Sequence, residues 1–230
     1  MHRHDLAIYG HLTKDTIFFS NFSKKFALGA IGNIWEALSR EHPSLTLDIQ
    51  PLALGEAIIL VDTENGNRLG RGRLNAVTRS GTASSARWHH IMYLNQLEDV
   101  SFMKEIKEGV ISVDITAGKV NNIDMLRYVD YLFISDEDMF MDLDQLSSLV
   151  RGWVVLHYPS GSTITNGEKT YKTEATTVKN LNVLGAGDCF AGCFIGNLLE
   201  DENMTLAECA KRAHKSTLKI LKEVNGGNKK

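Results

Sequence analysis

Short apolar or β-branched runs alternate with segments of helical period along most of this chain. Leu6–Tyr9, closed by Gly10, and Thr16–Phe19 read as strands, and Ile31–Ser39 has the spacing of an amphipathic helix. Ala57–Asp62 is a further apolar strand. The turn residues Glu64-Asn65-Gly66 follow it, and Arg68–Leu74 reads as the returning strand of a hairpin. His89–Leu94, Val110–Asp114, Tyr131–Ile134 and Trp153–His157 are four more strand-like runs. Helical candidates lie between them at Phe102–Glu108, Ile123–Val129 and Leu143–Val150. A second hairpin is expected around Asn166-Gly167, then a helix over 185–199 and a last one over Leu206–Glu223, opened by the capping-box pair Thr205 and Glu208. Strands alternating with helices predict an α/β fold with a doubly wound, mostly parallel sheet and helices on both faces. In such folds ligands sit beyond the strand C-termini. No repeat, linker or low-complexity stretch divides the chain, so a single domain over 1–230 is expected.

Composition narrows the function classes. The chain has 230 residues, 43% hydrophobic and 23% charged, enough for one domain with a sizeable core. A net charge of −3 argues against a nucleic-acid partner, which would call for a basic face. No apolar run reaches the length of a membrane span, and MHRHDLAIYG has no signal-peptide core, so no membrane partner is expected. Cys189, Cys193 and Cys209 make an odd count, with the first two on one face of a helix. That pattern fits small core packing in a reducing, cytoplasmic setting. His89 and His90 are adjacent on a strand and point to opposite faces, which does not make a metal site. Lys229 and Lys230, after Gly226-Gly227-Asn228, read as a solvated tail.

The densest chemistry lies in Asn182–Leu199, NVLGAGDCFAGCFIGNLL. A strand end runs into Gly185-Ala186-Gly187, then Asp188, then an apolar run that reads as a buried helix. Glycines without Cβ atoms let this turn present backbone N–H groups at a helix N-terminus, where the macrodipole also favours negative charge. A carboxylate at the same place is positioned to take a proton from a hydroxyl group. The plainer reading is that Asp188 only caps the helix.

This stretch resembles the C-terminal signature of the PfkB (ribokinase-like) carbohydrate kinases, D-T-x-G-A-G-D. Gly185, Ala186, Gly187 and Asp188 match it, while Asn182-Val183-Leu184 stand in place of Asp-Thr-x. The resemblance implies that Asp188 is the base for the acceptor hydroxyl and that the 185–187 backbone stabilises the transferred phosphoryl group. Gly10–Asp15 is similar to the family's G-x-x-x-x-D, which implies that Asp15 accepts bonds from substrate hydroxyls. Within that segment His11 is either a substrate contact or structural. Leu28–Asn33 is similar to G-G-x-x-x-N, implying substrate contacts at Gly29 and Asn33. Gly55–Arg68, GEAIILVDTENGNR, resembles G-x-A-x-x-x-V-D-x-x-G-x-R of the lid, so a small β-hairpin lid is expected around 55–74. A further substrate-binding unit usual in the family between these segments is missing here, which makes this a short member.

On the nucleotide side, Ser135-Asp136-Glu137-Asp138 falls where the family has N-x-x-E. That position implies that Ser135 and Asp138 act there and that Asp138 holds Mg²⁺ through water. An acidic helix start is the plainer reading of the quartet. Val154–Gly161 takes the place of T-L-G-x-x-G, with Gly161 matching and Tyr158 replacing the first glycine. Asp114, at a strand end, matches a common family Asp facing the nucleotide cleft. The implied activity is transfer of the γ-phosphate of ATP, with Mg²⁺, to a hydroxyl of a small-molecule sugar, polyol or nucleoside. A catalytically inactive ribokinase-like binding or scaffold protein is the alternative. The edge strands of the hairpin invite a homodimer through the lid.

Overall fold

The computed structural model describes residues 4–62, 68–77, 83–118, 121–178 and 181–225. The chain starts with one long strand, β1 (His4–Phe19), followed by β2 (Lys24–Ala27), α1 (Gly29–Glu41), β3 (Leu47–Val61) and β4 (Arg68–Ala76). Then come β5 (Ala86–Ile91), β6 (Val110–Ile115), β7 (Tyr131–Ser135), α2 (Leu143–Leu149) and β8 (Trp153–Tyr158). The hairpin β9 (Gly161–Thr165) and β10 (Thr170–Glu174) precedes the closing helices α3 (Ala186–Glu200) and α4 (Leu206–Asn225). The strands form one sheet in the order β10-β9-β8-β7-β6-β5-β1-β3-β4, with β2 on β1. Pairing is parallel from β3 through β1 and β5 to β8, and antiparallel at both ends and at β2.

Over the first half of β1 and over β5 to β8, both faces of the sheet are covered. Leu6 and Ile8 of β1 point into a core with Ile31, Ile34 and Leu38 of α1, Phe190 and Phe194 of α3, and Ala210 and Ala213 of α4. Ala7 and Tyr9 point to the other side, against Ile91, Val113, Leu132 and Ile134. This is the two-residue alternation of a strand. It also separates His89 from His90. His89 Nδ1 lies 3.2 Å from the Tyr9 hydroxyl, while His90 Nδ1 lies 2.8 Å from Ser112 Oγ, its ring edge-on to Phe133 in the first core.

The two faces are not alike. The first carries full helices. On the second, the expected helices at Phe102–Glu108 and Ile123–Val129 are short 3₁₀ segments, Ser101–Glu105 and Ile123–Tyr128, and only α2 is α-helical. Segments this short gain little from helix propagation, and 3₁₀ geometry is the usual outcome. α2 is held by a capping box in which Asp142 Oδ1 accepts from the Gln145 N–H at 2.8 Å. Glu208 N–H donates to Thr205 Oγ1 at 3.2 Å, as the pattern at α4 predicts.

The runs Leu6–Tyr9 and Thr16–Phe19 are two ends of one strand rather than two strands. The stretch between them keeps the alternation, but His11, Thr13 and Asp15 face a cavity instead of a core, so their polarity hides the period. β3 likewise begins at Leu47, well before the expected start at Ala57, and runs parallel to β1 from Leu6↔Leu47 to Phe19↔Val61. A register shift at Gly10/His11 sets Pro51 next to the irregularity, where a strand tolerates proline. The expected hairpin is present, antiparallel from Ala53↔Ala76 to Val61↔Arg68. The far halves of β1 and β3, with β2 and β4, thus continue the sheet as a four-stranded extension. The Glu64–Gly66 turn and the Lys229–Lys230 tail lie outside the described residues. Cys189, Cys193 and Cys209 are free thiols buried in the core.

Candidate active site

α3 is apolar nearly all round, from Cys189 to Leu199, and such a helix has to be buried. Its N-terminus opens on a cavity of about 640 Å³ beyond the C-terminal ends of the parallel strands. Gly185 caps the helix with φ +77°, a left-handed conformation. A Cβ there would stand 2.5 Å from Asn33 Nδ2, so glycine is needed for conformation and for space. The Ala186 N–H donates to the Val183 carbonyl at 2.9 Å, so the next donor the helix end offers is that of Gly187.

Asp188, the third residue of α3, is buried at 5% exposure. Its Oδ2 accepts from Asn33 Nδ2 at 2.7 Å, and its Oδ1 accepts from the Tyr93 hydroxyl at 2.8 Å. One side of the helix end is therefore α1, through Asn33. The other is β8, whose His157 ring would meet a Cβ on Gly187 at 3.0 Å. Toward α1 the cavity is walled by Thr13, Asp15 and Ile17 of β1, Ala57 and Ile59 of β3, and Leu74 of β4. Toward β8 it is walled by His157 and Tyr158, residues 175–178 and 181–184, and His214 and Leu218 of α4.

Asp15 is 7% exposed, and its Oδ1 has no hydrogen-bond partner. Burial raises its proton affinity, and a bond from the Thr13 side chain partly offsets that. Gly29 starts α1 beside Thr13 and lines the same end. His11 is buried there too, its pKa lowered by burial. Asp114, at the end of β6, is pushed well above the usual carboxylate range, first by burial, then by the charges of Asp188 and Asp138. Ser135 and Asp138 flank a single acidic turn in which Ser135 Oγ accepts from the Glu137 N–H at 3.3 Å. Both line the cavity.

Asp15, Gly29, Asn33, Asp114, Ser135, Asp138 and the 185–188 turn therefore converge on one cavity, although they span most of the chain. Gly161 is placed differently. It opens β9 in the tight β8–β9 hairpin, where Tyr158 pairs with it, and a Cβ would lie 2.0 Å from the Thr173 carbonyl. Gly161→Ala is expected to lower stability by about 1–3 kcal/mol. A denaturation curve checks this, and donor affinity of the folded fraction should be unchanged.

Among the cavity residues given no role by the sequence pattern are Tyr93, His157 and His214. Tyr93 lies in the run His89–Leu94, two residues past the end of β5, and His157 ends the run Trp153–His157, and their place near strand C-termini is the one available signal. Burial brings both histidines down to about 4; nearby His214 adds to the effect on His157, and a bond to the Gly161 backbone opposes it on His214. They flank Phe190, at ring distances of 5.5 and 4.5 Å.

The donor set suits a hydrated divalent cation. Asp114, Asp138 and Asp188 are close enough for two of them to act on the third, and such mutual repulsion is what a cation relieves. Yet among the described residues no three His, Cys, Asp or Glu side chains are grouped tightly enough to ligate an ion directly.

Comparison with known proteins bears on the family and the fold. The family model of the pfkB family carbohydrate kinases matches residues 90–228. The fold is shared with the adenosine kinase from Sinorhizobium meliloti at 12% identity and TM-score 0.69, covering 94% of this chain and 93% of that one. A Burkholderia thailandensis nucleoside kinase, solved with inosine, is 16% identical with TM-score 0.66, covering 92% and 89%. A pyrophosphate-dependent kinase of the ribokinase family, complexed with a pyrophosphate analog and myo-inositol, is 15% identical with TM-score 0.64, covering 94% of each chain.

Proposed function

Because the chain belongs to the pfkB family of carbohydrate kinases, we propose that it transfers the γ-phosphate of ATP to a hydroxyl of a sugar, polyol or nucleoside, with Asp188 as the base. The observation that carries this reading is the pairing of Asp188 at the helix end with Asp15 across one cavity. Asp15 Oδ1, buried and without a partner, accepts a hydroxyl of the acceptor and holds it under the four-stranded extension, which serves as the lid. Asp188 takes the proton of the reacting hydroxyl. That oxygen forms its bond to the γ-phosphorus as the bond to the bridging oxygen breaks, and ADP leaves. With the Ala186 N–H bonded to Val183, the Gly185–Gly187 turn offers the Gly187 N–H to the phosphoryl oxygens. Asp138 and Asp114 would hold Mg²⁺ through water, and the ion would supply charge neutralisation on the phosphates. The donor lies along Ser135, His157 and His214, with the whole of 1–230 acting as one domain.

A scaffold without catalysis is less well supported. Leaving a buried carboxylate oxygen without a partner costs about 1–3 kcal/mol, a cost a bound ligand removes; this speaks against a scaffold that binds nothing and leaves an inactive binding protein to the turnover test. No described helix is long and apolar enough to cross a membrane. With three buried free thiols, we place the enzyme in the cytoplasm. The test is ADP formation from Mg-ATP across sugars, polyols, nucleosides and sugar phosphates, with pyrophosphate as a second donor. If neither donor supports turnover on any acceptor, while ATP still binds, the scaffold reading takes its place.

We also infer a homodimer through the lid. Leu69, Leu60 and Phe18 are in register across β4, β3 and β1, and Ile58, Thr16 and Phe26 form a neighbouring row on the same face. Apart from Thr16 these side chains are exposed, Leu69 at 71% and Phe26 at 60%; Lys24, over the Phe18 and Phe26 rings, and Arg71 complete the two rows, and the apolar part of such a face is normally covered. Leu60→Asp should give a monomer by light scattering. A monomeric native chain would remove the inference.

A further inference from the structure

Asn33 and Tyr93 hold Asp188 from opposite sides, through different oxygens and from different elements. Asn33 comes from α1 and Tyr93 from the turn after β5, and their bonds to Asp188 are 2.7 and 2.8 Å. A carboxylate only accepts, so Asn33 must present its amide nitrogen to Asp188 and not its carbonyl oxygen. That amide also fills the space a Cβ on Gly185 would need, so the clamp and the helix cap are built into each other.

Tyr93 is held to the task by its backbone. It adopts φ 54° and ψ 59°, a left-handed conformation that a bulky residue rarely takes and that surrounding structure must over-determine. The chain leaves the sheet there: Met92 N–H still donates to the Tyr9 carbonyl at 2.8 Å, and the Tyr93 carbonyl then accepts from Gln96 N–H at 2.8 Å. An extended residue at 93 would continue the strand. The left-handed turn coincides with the delivery of the phenol to Asp188.

We propose that Asn33 and Tyr93 are positioning residues that fix the plane of the Asp188 carboxylate for proton transfer. A donor on each carboxylate oxygen stops rotation about the last side-chain torsion and so sets the direction in which the carboxylate meets the substrate hydroxyl. Orientation of this kind acts on the transition state rather than on substrate affinity. The inference rests on Asp188 being the base, and it reassigns Asn33 from a substrate contact to a support of that base. Other titratable groups around Asp188 are Asp114 on β6, Asp138 after β7 and Cys189 on its own helix. Lys25 and Glu36 act on Cys189, and His157 packs on Gly187.

Tyr93→Phe and Asn33→Ala test this. Each should lower kcat by about 10- to 100-fold with KM for the acceptor little changed, as loss of one bond to a charged group implies. Each should also move the acid limb of the kcat/KM profile upward by about one pH unit, since the ionised carboxylate loses a donor. A readout without substrate separates this inference from the kinase reading. Protein labelled with ¹³C at the Asp carboxyl carbons is titrated by NMR, and the Asp188 signal is identified by its loss in Asp188→Asn. Its midpoint should rise in both variants even if no acceptor is ever found. An unmoved midpoint in folded variants, or a rise in KM with kcat and the acid limb unchanged, would overturn the proposal.

Discussion

Asp188→Asn is expected to lower kcat by about 10²- to 10⁴-fold, the usual contribution of a general base. Donor affinity should stay close to that of the native protein. The substitution keeps shape and volume, and the helix end proposed to receive the phosphates is backbone. A modest loss of stability should accompany it. Asn33 and Tyr93 both donate to this side chain, and an amide can offer an oxygen to only one of them. Leaving the other donor buried and unmet costs about 1–3 kcal/mol. Single-turnover kinetics beside nucleotide titration separates the effects. If Asp188 only caps α3, stability and donor binding fall together and the rate per folded molecule is kept. If turnover drops less than about fivefold, some other group takes the proton.

Much of this architecture was legible in the pattern, and what was not has identifiable causes. Strands buried on both faces, β6 to β8, announce themselves as continuous apolar runs bounded by polar turns. β1 hid its length because its middle third faces a cavity. His11, Thr13 and Asp15 are polar at the positions where a core strand would place Leu or Val. The 3₁₀ segments of the second face carry apolar residues at helical spacing, Met125 and Leu126 among them, because those residues still have to fill the core. Periodicity reports which side is buried, not how many turns the backbone completes.

The site divides in the same way. Asp188 and the Gly185–Gly187 turn are contiguous in sequence, so local chemistry revealed them. Asp15 and Asn33 could be picked out only by resemblance, and the structure adds what resemblance does not carry: Asn33 bonds to Asp188 across 155 residues of chain. Tyr93 had no such signal. Its left-handed backbone, which turns the phenol inward, is a tertiary fact that no strand pattern contains.

Acid should destabilise this protein from about pH 6.5 downward, and the sign follows from three histidines. His90, His157 and His214 have ordinary values of 6.5 when unfolded and are brought down to about 3, 4 and 4 in the fold, mainly by burial. Between those limits the unfolded chain holds more protons than the folded one, so stability falls as pH falls. Each such proton is worth about 1.4 kcal/mol per pH unit. Asp114 and Asp15 act in the opposite direction. Their folded values are raised above the ordinary 3.8, so the folded chain holds the extra proton there and gains stability on acidification. His11, lowered by burial as well, acts with these three, and four groups against two leaves a net acid loss, because the histidine windows open at pH 6.5 and those of His90, His157 and His214 close only near 3, 4 and 4. Removing one opposing group tests the balance. Asp114→Asn should steepen the loss of Tm between pH 6.5 and 4 and raise Tm at neutral pH, because burial beside Asp138 and Asp188 disfavours the ionised carboxyl in the fold. A native Tm that stays level over that range would mean the buried histidines take up protons without unfolding. His157 and His214 would then be open to solvent in solution, and the β8 wall of the cavity would be looser than its packing on Phe190 implies.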